Sequence, residues 1–147
     1  MTVSFFGNQG LVHPEFTKKG QIINQHIYHQ ILQRLRESIR KKRSVKSSSR
    51  DWYLYHDNAP PHKALSMITY LARNGISTLV HSPYLPDLSF KDFLKYLLMK
   101  SSLKGRRFDD VKEIESESRP VLRSITLKQF SKCNQNLEKR MKLCKEA

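Results

Sequence analysis

Between Asn24 and Arg43 an aliphatic residue returns every fourth position, at Ile27, Ile31, Leu35 and Ile39, while Arg34, Arg36, Arg40, Lys41, Lys42 and Arg43 crowd the remaining faces and the C-terminal end. Residues four apart share one face of an α-helix, so this spacing predicts a long amphipathic helix with a basic exit. Twenty residues of helix span about 30 Å, the diameter of a small domain. A chain of 147 residues is about one domain long, so its single core has to be laid along this rod.

The segments around the helix read as short strands and shorter helices. Thr2 to Phe6 and Leu11 to Phe16, separated by Gly-Asn-Gln-Gly at 7–10, carry a hairpin signal. Ser44 to Arg50 reads as a Ser-rich, basic surface connection. Trp52-Tyr-Leu-Tyr-His-Asp57 then forms a compact apolar-aromatic run, stopped by Asn58-Ala-Pro-Pro61. It reads as a buried strand that delivers Asp57 at its C-terminal end. A helix is expected from about His62 to Asn74, with Leu65, Ile68 and Leu71 on its apolar face and Gly75 as cap. Ser77 to His81 reads as another strand, and Ser82 to Asp87 as a Pro-rich turn. Asp92 is expected to open a helix with Phe93, Leu94, Leu97 and Leu98 on one side, broken at Gly105. Asp109 to about Glu117 reads as a short acidic helix that Pro120 should interrupt. Phe130, Cys133, Leu137, Met141 and Cys144 stripe a last helix. The leading hairpin rules out a plain doubly wound sheet and predicts a mixed sheet with helices on its faces.

Lys and Arg number 27 against 13 Asp and Glu, a formal net charge of +14, which favours a polyanionic partner without separating DNA, RNA and anionic membrane. No apolar run approaches the roughly 20 residues of a membrane span, and no basic n-region follows Met1, so the chain reads as intracellular. Cys133 and Cys144 lie eleven residues apart on one helix, too far to bridge, and read as small apolar residues. His26 and His29, one helical turn apart with no third ligand near, read as solvated.

Of the thirteen acids, two sit where the sequence would fix a carboxylate at the end of an element. Asp57 closes the apolar run; Asp92 starts a helix after the second Pro-rich turn. A strand-end Asp beside a helix-start Asp is a way to converge hard oxygen ligands on Mg²⁺. The same two positions also suit a turn former and a helix cap.

Three stretches, Tyr55-His-Asp-Asn-Ala-Pro-Pro-His62, His81-Ser-Pro-Tyr-Leu-Pro-Asp-Leu-Ser-Phe-Lys-Asp-Phe93 and Leu103-Lys-Gly-Arg-Arg-Phe-Asp-Asp110, together resemble the catalytic domain of mariner-family transposases. Thirty-four residues separate Asp57 from Asp92, the interval found in that family. Gly10-Leu-Val-His-Pro-Glu-Phe16, Gln21 to Tyr28 and Lys41-Lys-Arg43 extend the resemblance over nearly the whole chain. It implies an α/β, RNase H-like mixed sheet with flanking helices, of the DDE superfamily, in which three acids hold two divalent ions, Mg²⁺ or Mn²⁺. By the resemblance Asp57 is the second catalytic acid and Asp92 the third, with His56, Asn58 and His62 as active-site neighbours; turn packing explains the histidines equally well. The first acid belongs to an opening strand upstream of the one that begins at Met1, and the expectation is a domain lacking that first, central strand, with exposed sheet edges, over 1–125, with an amphipathic helix over 126–147 packed on it. The family pattern also carries Asp at Gly7, Ser at Leu85, Pro at Phe90, and Trp at Leu137 and Met141.

The resemblance implies cutting and joining of DNA by metal-dependent phosphoryl transfer. With one acid missing, metal binding is expected to be weak and the chain inactive. DNA is the implied partner, the nucleus the implied location, and a homodimer is compatible with the family; no membrane or small-molecule substrate is implied. Arg40, Lys41, Lys42, Arg43, Arg106 and Arg107 are the candidate phosphate contacts, the first four serving equally as a nuclear address or a solvated helix end. A domesticated, non-catalytic DNA-binding or dimerisation module is the competing reading.

Overall fold

The computed structural model describes residues 2–7, 9–79 and 96–146. They fall into two compact units, one of residues 1–5 and 12–83, the other of residues 6–11 and 84–147.

The first unit is built on α1 (Gln25–Lys42), whose first turn is capped by Asn24: the side-chain Oδ1 accepts the Ile27 N–H at 3.0 Å. Tyr28, Ile31, Leu32, Leu35 and Ile39 are buried and Ile27 is half-buried, so the core face extends to one side of the four-residue stripe, taking in Tyr28 and Leu32. Arg40, Lys41 and Lys42 occupy the last turn, where the helix dipole favours cations. In place of the expected loop, α2 (Ser44–Ser49) follows directly. It buries no residue, which is why its composition reads as a surface connection.

β1 (Thr2–Gly7) pairs with β2 (Gly10–Phe16), as the hairpin signal predicts, and β3 (Tyr53–Tyr55) pairs in parallel with β4 (Ser77–Leu79) in the register Tyr53↔Ser77, Leu54↔Thr78, Tyr55↔Leu79. The run at 52–57 is therefore only three residues of strand. Leu54 alone is buried, Tyr53 is 62% exposed, and Asp57 lies two residues beyond the strand end. Among the described residues the strands form two separate pairs.

The β3–β4 crossover holds two helices, α3 (Pro60–Lys63) and α4 (Leu65–Arg73), where the sequence predicts one. Ala64, at φ −58° and ψ 140°, breaks the ladder between them. The break rotates α4: Met67 and Leu71 are buried, while Leu65 and Ile68, expected on the core face, are 78% and 54% exposed. α4 closes in a Schellman turn, with Ile76 N–H on the Leu71 carbonyl, Gly75 N–H on that of Ala72, and Gly75 at φ +63°. Tyr28, Leu32, Leu35, Ile39, Leu54, Met67 and Leu71 form the core, flanked by Phe5, Val12, Ile23, Trp52, Tyr70 and Ile76. His29, expected in solvent, is half-buried and meets Tyr70 edge-on at 4.4 Å.

A polar network ties the hairpin to α1. His13 Nε2 lies 3.0 Å from Glu15 Oε2 and its Nδ1 2.8 Å from Ser38 Oγ, while Arg34 donates from Nε to Glu15 Oε2 at 3.1 Å and from its terminal nitrogen to Oε1. Burial works to raise the Glu15 pKa, but the hydrogen bonds and charges of Arg34 and His13 outweigh it and hold the carboxyl below its ordinary 4.5.

The second unit holds α5 (Tyr96–Leu103), α6 (Val111–Ser124) and α7 (Leu127–Glu146). Asp110 caps α6 by accepting the Glu113 N–H at 2.8 Å. Thr126 and Gln129 cap α7 reciprocally, Thr126 N–H on Gln129 Oε1 at 2.8 Å and Gln129 N–H on Thr126 Oγ1 at 3.3 Å. Pro120, expected to interrupt, sits inside α6. Leu122, 1% exposed, and Ile125, 8% exposed, lie just beyond it, and burying them offsets the lost backbone bond. Phe130 and Cys133 of α7 are buried, Cys133 as a free thiol, and Phe130 meets Phe6 at 5.4 Å.

The rotation of α4 is testable. Met67→Ala should destabilise by about 2–5 kcal/mol and Leu65→Ala by less than about 0.5 kcal/mol in urea unfolding; the reverse order would contradict the face assignment. Glu15 gives a pH prediction. Its depressed pKa adds stability above pH 4.5, the unfolded value, that is lost as pH falls through the folded one. Glu15→Gln should flatten the fall of the urea midpoint below about pH 5.

Candidate functional site

The site is the turn between β3 and α3, and the sequence explains its shape. Tyr55 ends the strand; Pro60 and Pro61, at the first positions of α3, cannot donate to a ladder but suit a helix start. The four residues between must turn. Asp57 supplies the turn with its own side chain, Oδ1 accepting the Ala59 N–H at 3.2 Å.

A second donor holds the same oxygen. His62 Nδ1 lies 2.8 Å from Asp57 Oδ1 and 3.1 Å from the Asp57 carbonyl oxygen. Both are acceptors, so the proton sits on Nδ1. The His62 side chain is 12% exposed and that of Asp57 51%: the histidine is packed, and the carboxylate it holds faces solvent.

Tyr28 packs the histidine. Its ring centroid is 4.1 Å from that of His62, and the His56 and His62 rings stack at 4.7 Å with 9° between planes. Tyr28 Oη lies 2.9 Å from His56 Nδ1. Burial, reinforced by the Asp57 charge, pushes the Tyr28 phenol well above its ordinary pKa of 10.0. It stays protonated, and its hydroxyl and His56 Nδ1 share one hydrogen bond. The result is a continuous path from the core face of α1 through two stacked imidazoles to one carboxylate.

Of the predicted neighbours, His62 contacts Asp57, His56 stacks on His62, and Asn58 lies in the same turn, half-buried. Asp92 lies outside the described residues. Among the described residues no three His, Cys, Asp or Glu side chains gather to hold a metal ion; these residues alone do not fit the two-ion site that the resemblance implies. Glu15 is tied to Arg34 and His13, and Glu37 is exposed on α1 at 3.9 Å from Arg40, so neither carboxylate joins Asp57.

The candidate cations divide by the company they keep. In the first unit Arg40 and Lys41 are exposed, Lys42 Nζ donates to the Val12 carbonyl at 2.8 Å, and Arg43 is half-buried. In the second unit Arg106 pairs with Glu117 at 2.6 Å and lies over the Phe108 ring at 5.7 Å, while Arg107 is exposed. No described helix is long and apolar enough to cross a membrane. Tyr28 was not among the candidate site residues. Its signal in the sequence is an aromatic one position off the aliphatic stripe, which only the wider core face makes meaningful.

The family model described as "Transposase (partial DDE domain)" matches residues 1–49. Human histone-lysine N-methyltransferase SETMAR is 27% identical over 116 residues, 79% of this chain and 17% of SETMAR. The mariner Mos1 transposase of Drosophila mauritiana is 28% identical over 116 residues, 78% of this chain and 34% of the transposase. The chain thus spans a third or less of these relatives. In structure it matches the Mos1 catalytic domain bound to Raltegravir and Mn with a TM-score of 0.86 at 24% identity, over 96% of this chain and 71% of that one. A pre-cleavage Mos1 transpososome matches with a TM-score of 0.88, over 96% of this chain and 42% of that one. From these matches, the chain is related in sequence to the mariner transposases and carries the RNase H-like α/β fold of their catalytic domain.

Proposed function

We propose that these 147 residues belong to a mariner-type transposase catalytic domain, bind DNA through their basic surface and do not by themselves cut it. The observation that supports this reading most directly is the Asp57 turn: it stands in a fold shared with the Mos1 catalytic domain, and among the described residues its carboxylate is held by His62 and Ala59.

In this reading Asp57 and Asp92 are two of the ligands for Mg²⁺ or Mn²⁺. Divalent ions in such a site neutralise charge on the phosphoryl oxygens of the scissile bond. What the chain's own residues do is narrower. His62 fixes the Asp57 rotamer, Tyr28 fixes His62 and His56, and Arg40, Lys41, Lys42 and Arg43 offer positive charge to a phosphate backbone. Arg106, neutralised by Glu117, contributes less than Arg107. The domain over 1–125 with its C-terminal helix over 126–147, action in the nucleus and self-association as a homodimer belong to the same reading.

Two measurements test it. The purified protein should not nick transposon-end DNA in Mg²⁺ or Mn²⁺; nicking that Asp57→Ala abolishes would overturn the proposed inactivity. Duplex binding should be steeply salt-dependent and indifferent to Asp57→Ala within about twofold. Replacing Arg40, Lys41, Lys42 and Arg43 together by Ala should reduce the log–log salt slope by about 3–4. A shallow slope in the parent protein would sink the electrostatic assignment.

A further inference from the structure

From Arg40 through Asp51 no residue is buried; Ile39, 8% exposed, is the last side chain of α1 in the core. Within this stretch residues 40–46 carry five cations and no acid. Ser44 stands in their midst, exposed, with Lys41, Lys42 and Arg43 before it and Val45, 79% exposed, after it. Three consecutive cations on the N-terminal side of a serine, with an accessible apolar residue after it, are what the acidic substrate groove of a basophilic serine kinase recognises.

Such a groove takes its substrate extended, so the stretch has to open. Opening it exposes no core residue. It breaks two backbone bonds, Arg43 N–H to the Ile39 carbonyl and Ser47 N–H to the Arg43 carbonyl, and two exposed side-chain bonds, Ser48 Oγ to the Ser44 carbonyl and Lys42 to Val12. A segment held this way unfolds locally at the low end of the stability range. The other serines nearby are poorer acceptors. Ser47 has one cation in the three positions before it, and Ser38 is half-buried on α1 at 2.8 Å from His13 Nδ1.

We propose that Ser44 is a phosphorylation site for a basophilic serine kinase, and that phosphate there turns down the polyanion binding of the α1 exit. The γ-phosphoryl group of ATP passes to Ser44 Oγ: the bond to the ADP oxygen breaks, the Oγ–P bond forms, and the hydroxyl proton goes to the kinase's base. The modification brings about −1.5 to −2 charge into a cluster of five cations. In sequence Ser44 follows Arg40 by four positions and Lys41 by three. This regulatory consequence rests on the DNA-binding reading above; the modification does not.

The test uses the full chain, ATP and the catalytic subunit of cAMP-dependent protein kinase as the basophilic probe. Intact mass and fragmentation should show one phosphate at Ser44, absent in Ser44→Ala, retained in Ser47→Ala, and at least tenfold slower in Lys41→Ala/Lys42→Ala. No incorporation, or incorporation elsewhere with Ser44 unmodified, overturns the site. Duplex binding is then compared for the two forms. The phosphorylated protein should bind about tenfold more weakly at 0.15 M salt, with a slope shallower by about 2. Equal binding by both forms overturns the regulation. Failure of the unmodified protein to bind duplex at all overturns the DNA-binding reading and its regulation, while the phosphate on Ser44 still supports the site.

Discussion

A buried phenol has to place its hydroxyl, and at Tyr28 that requirement joins the core to the candidate site. The side chain stands on the core face of α1 and is 2% exposed, so its ring is held by Leu32, Met67 and their neighbours in the same cluster. An unpartnered hydroxyl there costs about 1–3 kcal/mol. His56 Nδ1 shares a hydrogen bond with it, the His62 ring packs against both rings, and His62 holds Asp57. The position of one carboxylate thus inherits the rigidity of a packed helix 29 residues earlier in the chain.

The sequence showed most clearly what depends on local periodicity. Ile31, Leu35 and Ile39 are buried as their spacing requires, and Gly75 closes α4 as its position suggests. Where two periods fit equally, tertiary packing decided. Leu65, Ile68 and Leu71 share a three-residue spacing, but α4, starting after the break at Ala64, buries the four-residue pair Met67 and Leu71 instead. Pro120 obeyed its context rather than its propensity, because Leu122 and Ile125 had a core to enter. At the site, Asp57 and the histidines close to it in sequence were legible from the turn itself. Tyr28 was not, because its contact to His56 spans 28 positions and no local pattern encodes it.

The net charge of +14 is unevenly available. Arg34 is spent on Glu15 and Arg106 on Glu117, while Lys42 braces the hairpin through Val12. Five cations with no acid among them, residues 40–46, sit where burial ends, at the exit of α1 and the start of α2. Those two properties have one cause: a segment with nothing apolar to bury can be crowded with like charge at little cost to the fold, since each charge keeps its water.

α1 is also a ruler. Tyr28 and Arg40 are twelve residues apart on one unbroken helix, about 18 Å along its axis. Successive phosphates on one strand of duplex DNA advance about 3.4 Å. A backbone gripped at the basic exit and running along the helix would therefore pass the Asp57 turn about five steps later. Inserting or deleting residues in α1 would alter that interval as well as the packing, since helix length sets the offset between grip and carboxylate.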